Sequence, residues 1–218
     1  MQSFPNGTTF SVSTAFSAAV PVTAVSNASP AVARAAAPPA DGTIGLISSG
    51  WAALNDRVAK STGVVASTSF ELENIDTTDA VKYPAGQGAG TFTPVLTWVQ
   101  LSQVTNVQKS GGTQQFYKWQ YAEDPSSTQK QRPTFKDAKT LTLTLDYDPA
   151  LAWYDALTKA DAAQELVVLK ALLPSGDALY YAVYPSFDAD PSMDLNKNMD
   201  NTATFSLVSP LTRYAAGA

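Results

Sequence analysis

The side chains that could do chemistry in this sequence are nearly all carboxylates. Among 218 residues there is no histidine and no cysteine. Their absence removes the commonest general base near neutral pH, the commonest transition-metal ligand, and any thiolate nucleophile, disulfide or zinc-thiolate site. What remains is the chemistry of paired acids, such as a glycosidase performs with two carboxyls held across a cleft. The local clusters are Asp76 with Asp79, and Asp188 with Asp190, Asp194 and Asp200. No linear spacing sets two carboxyls across a cleft, and both clusters read as solvated turns. Asp188-Ala-Asp-Pro-Ser-Met-Asp-Leu-Asn-Lys-Asn198 is oxygen-rich in the manner of a calcium loop, yet it lacks the turn glycine and closing glutamate of an EF-hand. Gly86-Gln-Gly-Ala-Gly90 runs into Thr-Phe-Thr-Pro, with no helix N-terminus to meet a phosphate, and reads as a flexible connection. The expectation is a chain without catalytic residues, cofactor or metal.

The elements around these residues are read from periodicity. Thr140 to Tyr147 alternates with period two and places Leu141, Leu143, Leu145 and Tyr147 on one face of a half-buried strand. Asp148-Pro149 is a helix start, with an acceptor at the N-cap and proline at the first helical position. Leu151, Tyr154 and Leu157 then give a helix over about 149–160 one face to bury. Leu166 to Leu173, the turn Pro174-Ser-Gly-Asp177 and Leu179 to Tyr184 make a hairpin, and Thr202 to Val208 closes the block. This is the pattern of an α+β, mostly antiparallel sandwich or barrel with one packed helix.

Upstream, Thr8 to Ser13 predicts a first strand and Val20 to Val25 an edge strand, since Pro21 cannot donate to a ladder. Ser26 to Asp41, rich in Ala, Pro and Ser, reads as a linker or as an irregular surface loop ordered only by contacts, the loop being favoured, within an N-terminal stretch 1–41. Residues 42–79 read as a small β unit, extended to 42–90 by its connection. In it Phe70 and Leu72 face inward, Glu71 and Glu73 outward, and Trp51 plugs a core. Thr91 to Val107 predicts one long strand, turned by Gly111-Gly112 so that Thr113 to Ala122 pairs back on it. Residues 123–139 then form an extended polar loop with almost nothing to bury, a length that inside one compact domain is usually functional or disordered. The whole, 1–218, reads as a single domain with a core sandwich over 91–214.

Charge is uneven. Residues 1–117 carry 6 acids and 5 bases, 118–139 carry 3 and 5, and 140–218 carry 10 and 4, which sums to the net −5. The middle is basic and the end acidic, and an acidic protein is a poor nucleic-acid binder by phosphate neutralisation, which needs clustered Lys and Arg. The apolar stretch before Arg34 is interrupted by Pro5, Asn6, Gly7, Pro21, Asn27 and Pro30, so neither an export signal nor a membrane span is expected.

The order of elements resembles the major tail tube proteins of long, non-contractile-tailed, lambda-type bacteriophages. The resemblance is carried from about Trp98 to Tyr214 by the long hairpin with its polar loop, the Thr-Leu-Thr-Leu strand, the Ala- and Leu-rich helix with Trp153 and Tyr154, the Leu173-Pro-Ser-Gly176 turn and the closing Leu-Val-Ser-Pro. Gly50-Trp51 and Ile75-Asp-Thr-Thr-Asp79 add shorter phrases. It implies a virion protein forming stacked, hexameric rings around a β-lined channel. DNA passes there without specific binding. The implied partners are further copies, the tape-measure protein, the tail terminator and tail-tip proteins, with assembly in the bacterial cytoplasm and no membrane insertion. The polar loop, with Glu123, Asp124, Lys130, Arg132, Lys136 and Lys139, would order against a neighbouring ring, and Trp51, Trp98, Trp119, Trp153 and Tyr154 would serve core or interface. Against the lambda pattern, the loop is mixed to basic rather than acidic, and a small β segment precedes Thr91. Two rival readings are an adhesive or carbohydrate-binding β domain that exposes its tryptophans as stacking platforms, and a carboxylate enzyme with two raised pKa values in a cleft.

Overall fold

The computed structural model describes residues 6–126 and 128–216. In chain order the strands are β1 (Thr9–Phe16), β2 (Val20–Val22), β3 (Ala24–Val25), β4 (Ala31–Arg34), β5 (Ile44–Ser49), β6 (Arg57–Val65), β7 (Ser69–Leu72), β8 (Gly90–Leu101), β9 (Val104–Gly111), β10 (Gln114–Trp119), β11 (Lys130–Lys136) and β12 (Lys139–Asp146). Helix α1 (Ala152–Ala163) follows, then β13 (Val167–Leu172), β14 (Ala178–Phe187), β15 (Asp200–Leu207) and β16 (Thr212–Tyr214).

All strand pairs are antiparallel, and the main run is β8-β1-β13-β14-β15-β12-β9. β8 and β9 are consecutive in the chain yet lie at opposite ends of this run. Two linking residues cannot span a flat sheet of seven strands. The sheet must therefore curl back on itself into a barrel-like sandwich. Inside the curl lie Phe10, Val12, Leu143, Leu145, Leu169, Val183 and Phe205, closed over by Trp153 and Leu157 of α1. Leu141, Leu143 and Leu145 are all buried, as their period-two spacing requires.

The small β unit continues from the same strand. β8 gives its first half, Gly90 to Pro94, to β5 and its second half, Val95 to Leu101, to β1. β5, β6, β7, β4 and β3 follow in order, around a second core of Trp51, Leu54, Phe70, Leu72, Ile75 and Phe92. A third cluster of Val58, Val168, Tyr180, Ala182 and Tyr214 joins this unit to the outer face of the main sheet.

Several sequence expectations are corrected. Ser26 to Asp41 is not simply a surface loop: β4 pairs with β7, and Ala31, Ala33 and Ala35 are buried. Alanines alternating with period two carry too little apolar area to mark a strand by hydropathy, yet these pack into the same core as Phe70. Gly88 and Gly90 serve close packing rather than flexibility, while Gly86 has open space around it. A Cβ on Gly88 would stand 2.8 Å from the Trp51 ring, and one on Gly90 would collide with the Ser48 carbonyl. The long strand breaks at Gln103, which takes φ 60°. Thr91–Val107 therefore does not pair with Thr113–Ala122. β9 pairs with β12 and β10 with β11, so residues 123–139 hold a strand in place of a continuous loop. Asp148 does not cap α1. Its Oδ1 accepts from the Ala150 amide in a preceding turn, and the N-cap position is Leu151, with no side-chain bond.

Candidate assembly surfaces

Three surfaces of the sandwich are candidates for function. The first is the solvent face of β9, β12, β15 and the end of β14. Because β12 buries its leucines, its threonines face out, and the registers align them across the sheet. Ser110, Thr140, Ser206 and Tyr184 form one row; Gln108, Thr142, Thr204 and Ser186 the next; Asn106, Thr144 and Thr202 the third. These side chains are exposed or half-buried, and the Ser110 and Thr140 hydroxyls are 2.7 Å apart. No member of the rows is charged, although soluble surfaces usually mix Lys, Arg, Asp and Glu through such a face.

The second surface is the seam between β8 and β9. The pairings of these strands lie with β1, β2 and β5, and with β12, which leaves the far side of β9 without a ladder among the described residues. An open groove of about 570 Å³ lies beside β9, lined by Phe10, Val104, Val107, Leu141, Leu179 and Tyr181 among others, with no residue of β8 in its lining. No carboxylate, lysine or arginine lines the groove among the described residues.

The third is the β10–β11 ribbon. Gly111 and Gly112, at φ 76° and 80°, turn the chain out of β9, and a Cβ on Gly111 would meet the Ala138 carbonyl on the returning strand. The ribbon root is tied by the Asp137 amide to the Thr113 carbonyl at 2.9 Å and by the Gln115 Nε2 to the Asp137 carboxylate at 2.8 Å. Every residue of β11 is exposed.

The sequence-predicted charged residues are all on this ribbon or beside it. Arg132 and Lys136 lie on β11, Glu123 in the exposed tip turn, and Lys139 at the root, opposite Gly111. Asp124 is bridged to Lys130 at 3.2 Å, and Lys130 also stands 5.6 Å from the Tyr121 ring centre. Tyr117 and Trp119 stack at 5.9 Å on the same ribbon face as Arg132. The other aromatics are elsewhere. Trp51 and Trp153 are buried, Tyr154 packs edge-on to Trp153 and Phe187, and Trp98 is half-buried beside Tyr180. Trp51 and Trp153 are thus built into packing and offer no stacking face, whereas Trp119 stands on the ribbon beside the exposed Tyr117. The sequence missed the hydroxyl rows, since alternation showed the threonines but not their neighbours across the ladder.

The acidic clusters form no site. Asp76 and Asp79 hold their own turns, the first accepting from Thr78 and the second from the Val81 and Lys82 amides. These bonds hold both carboxyls below the ordinary range, the Thr78 and Val81 amides contributing most. Asp194 is lowered chiefly by its hydrogen bond from Lys197. Among the described residues no group of three metal-ligating side chains converges. No helix of the described residues is long and apolar enough to cross a membrane.

The described residues form a curled antiparallel sandwich with an uncharged wall, an open seam and a projecting ribbon. The chain belongs to the phage tail tube protein family, whose model matches residues 49–216. It is a structural component of the virion tail tube, and a tube of this kind is made by self-association together with other tail components. The fold is similar to a chain in the virion of a native gene transfer agent particle, with 9% identity over 54% of this chain and 89% of that one, at a TM-score of 0.41. It is also similar to a chain of the tube-terminating cap of the anti-feeding prophage, with 17% identity over 50% and 79% and a TM-score of 0.33. No curated protein sequence matches the chain.

Proposed function

We propose that copies of this chain close into rings, six to a ring by the lambda-type resemblance, and that the rings stack into the tube of a long, non-contractile tail. The uncharged rows on β9, β12, β15 and β14 face the lumen, and the seam between β8 and β9 takes the edge of a neighbouring copy. Closure of this kind satisfies edge strands that would otherwise template open-ended pairing. The observation that carries the reading is the absence of charge from three neighbouring rows of side chains. A passing polyanion meets hydroxyls and amides that stay hydrated, whereas each lysine would add a salt-dependent phosphate contact and so friction. The tape-measure protein, the tail terminator and the tip proteins are the partners in this proposal, DNA is passed without being specifically bound, and assembly takes place in the bacterial cytoplasm. The chain performs no catalysis.

Electron microscopy of concentrated protein tests it, the expected result being rings or tubes with an open lumen. The tubes should retain no duplex DNA at about 0.15 M salt, and Thr142→Lys with Thr204→Lys should create retention that falls steeply as salt rises. Tight retention by the unaltered protein, or a strict monomer at high concentration, would overturn the reading.

A further inference from the structure

We propose that the aromatic and cationic face of the β10–β11 ribbon docks onto the 188–200 loop of a second copy of this chain, the two copies stacked head to tail. The inference rests on the ring-stacking reading above and names the surface that receives the ribbon.

The first observation is that the ribbon has no support of its own. A lone two-stranded hairpin is marginal in water, and this one exposes large apolar side chains: Tyr117 at 63%, Tyr121 at 60% and Phe135 at 68%. Residues 114–136 carry four bases, Lys118, Lys130, Arg132 and Lys136, against two acids, Glu123 and Asp124. Only Lys130 of those four is in an ion pair among the described residues.

The second observation is a loop of matching character. Residues 188–200 carry four acids, Asp188, Asp190, Asp194 and Asp200, against Lys197 alone. They also expose Leu195 at 92% and Met193 at 75%. The loop is fixed at its base, where the buried Asn201 amide donates to the Asp188 and Ala189 carbonyls at 2.9 and 3.2 Å and Ser192 Oγ bonds Asp200 at 2.7 Å. A polar loop had no need of a leucine and a methionine in water. Thioethers and leucine against tyrosine and tryptophan faces, ringed by opposite charges, make a complementary pair of surfaces.

The third observation is where the two surfaces lie. β12 runs from Lys139, opposite Gly111 at the ribbon root, to Asp146, opposite Asp200 at the loop. Its eight residues span roughly 26 Å at about 3.3 Å each. The ribbon root and the base of the loop therefore occupy opposite ends of one strand ladder. Complementary surfaces at opposite ends of a subunit give heterologous contacts that propagate without closing, which is the geometry of a growing tube.

The chain has no cysteine, so introduced pairs are read without background. Arg132→Cys with Asp194→Cys should give, on oxidation of assembled tubes, a ladder of covalent multimers, whereas Arg132→Cys with Thr62→Cys on the small β unit should not. Tubes that form without the ladder, or a ladder only from the control pair, overturn the proposal. A charge exchange covers variants that fail to assemble: Arg132→Asp with Lys136→Asp should abolish tubes, and adding Asp190→Lys with Asp194→Lys should restore them at least tenfold over the reversed ribbon alone. Failure to restore overturns the assignment of the loop. Deleting 126–136 separates the two readings. Normal tubes from the deletion would overturn stacking by the ribbon and the proposal with it, whereas loss of tubes combined with no ladder and no restoration removes only the loop as acceptor.

Discussion

The Tyr214 hydroxyl oxygen accepts the Lys60 amide proton at 2.8 Å across 154 positions of sequence, and donates its own proton to the Glu73 carbonyl at 3.3 Å. The last strand of the sandwich thereby clamps the small β unit against the main sheet. Thr212 supports the clamp by donating to the Val58 carbonyl at 2.8 Å.

Tyr214→Phe keeps the ring against Tyr180 and removes both bonds. We expect a loss of about 1–3 kcal/mol in urea unfolding with an unchanged slope. Burial holds the Tyr214 phenol well above its usual range. A raised folded-state pKa means that this stabilisation is complete below the unfolded value of about 10 and is lost as pH climbs through the folded one. Unaltered protein should therefore weaken above roughly pH 10 by a component that the phenylalanine variant lacks. Equal unfolding free energies for the two proteins would remove the clamp.

Gly111→Ala tests the ribbon root. A left-handed backbone costs a residue with a Cβ about 1–2 kcal/mol, and here the Cβ would also press on the Ala138 carbonyl. The expected protomer folds but aims its ribbon elsewhere and forms no tubes. Gly86→Ala is the comparator, with φ +80° and open space around it, and it should carry similar strain and still assemble. Normal tubes from Gly111→Ala, seen by microscopy, would show that ribbon direction is not needed.

The parts of the fold legible in the sequence are those where side-chain area and backbone period agree. Thr140–Tyr147 is such a strand, and the Pro174–Asp177 turn is another case: Gly176 takes φ 87° and the Leu173 amide closes the turn on the Asp177 carbonyl at 2.9 Å. β11 was illegible because all seven of its residues are solvent-facing, so no apolar alternation marks them, and Pro133 argues against a ladder except at an edge. β4 was illegible for the opposite reason, being buried through alanines alone. At the candidate surfaces, composition located the basic stretch and the acidic stretch. That they stand at opposite ends of β12 depends on pairing across more than 50 residues, which no local spacing encodes. The exposed Leu195 and Met193 were lost among neighbouring aspartates.

Trp51 and Gly88 form a matched pair in the second core. The indole Nε1 donates to the Pro84 carbonyl at 2.7 Å, and its ring fills the space that a side chain at 88 would need. Gly88→Ala should cost about 1–3 kcal/mol by overpacking, and Trp51→Ala about 3–5 kcal/mol by opening a cavity. Combining the two should cost less than their sum, because the added methyl enters vacated space. Additive losses in thermal or urea unfolding would mean that the two positions do not share one packing site.

Asp124 sets the acid limit of the ribbon tip. Hydrogen bonds from Ser126 lead, and Lys130 at 3.2 Å adds to them, in holding its carboxyl below the usual aspartate range. A lowered folded-state pKa gives stabilisation that is complete above the unfolded value of about 3.9 and is lost as pH falls through the folded one. Between pH 8 and about 5 the tip should therefore keep its order, and it should loosen only below roughly pH 4. In the isolated protomer, nuclear magnetic resonance should find the Asp124 carboxyl and the Ser126 amide titrating together, with a midpoint under that of an unstructured aspartate. Asp124→Asn should abolish the Ser126 titration while leaving the β10–β11 ladder in place, since the ladder's backbone bonds do not pass through the carboxyl. A midpoint at or above about 4, or a Ser126 amide indifferent to the substitution, would break the link between this carboxyl and the tip.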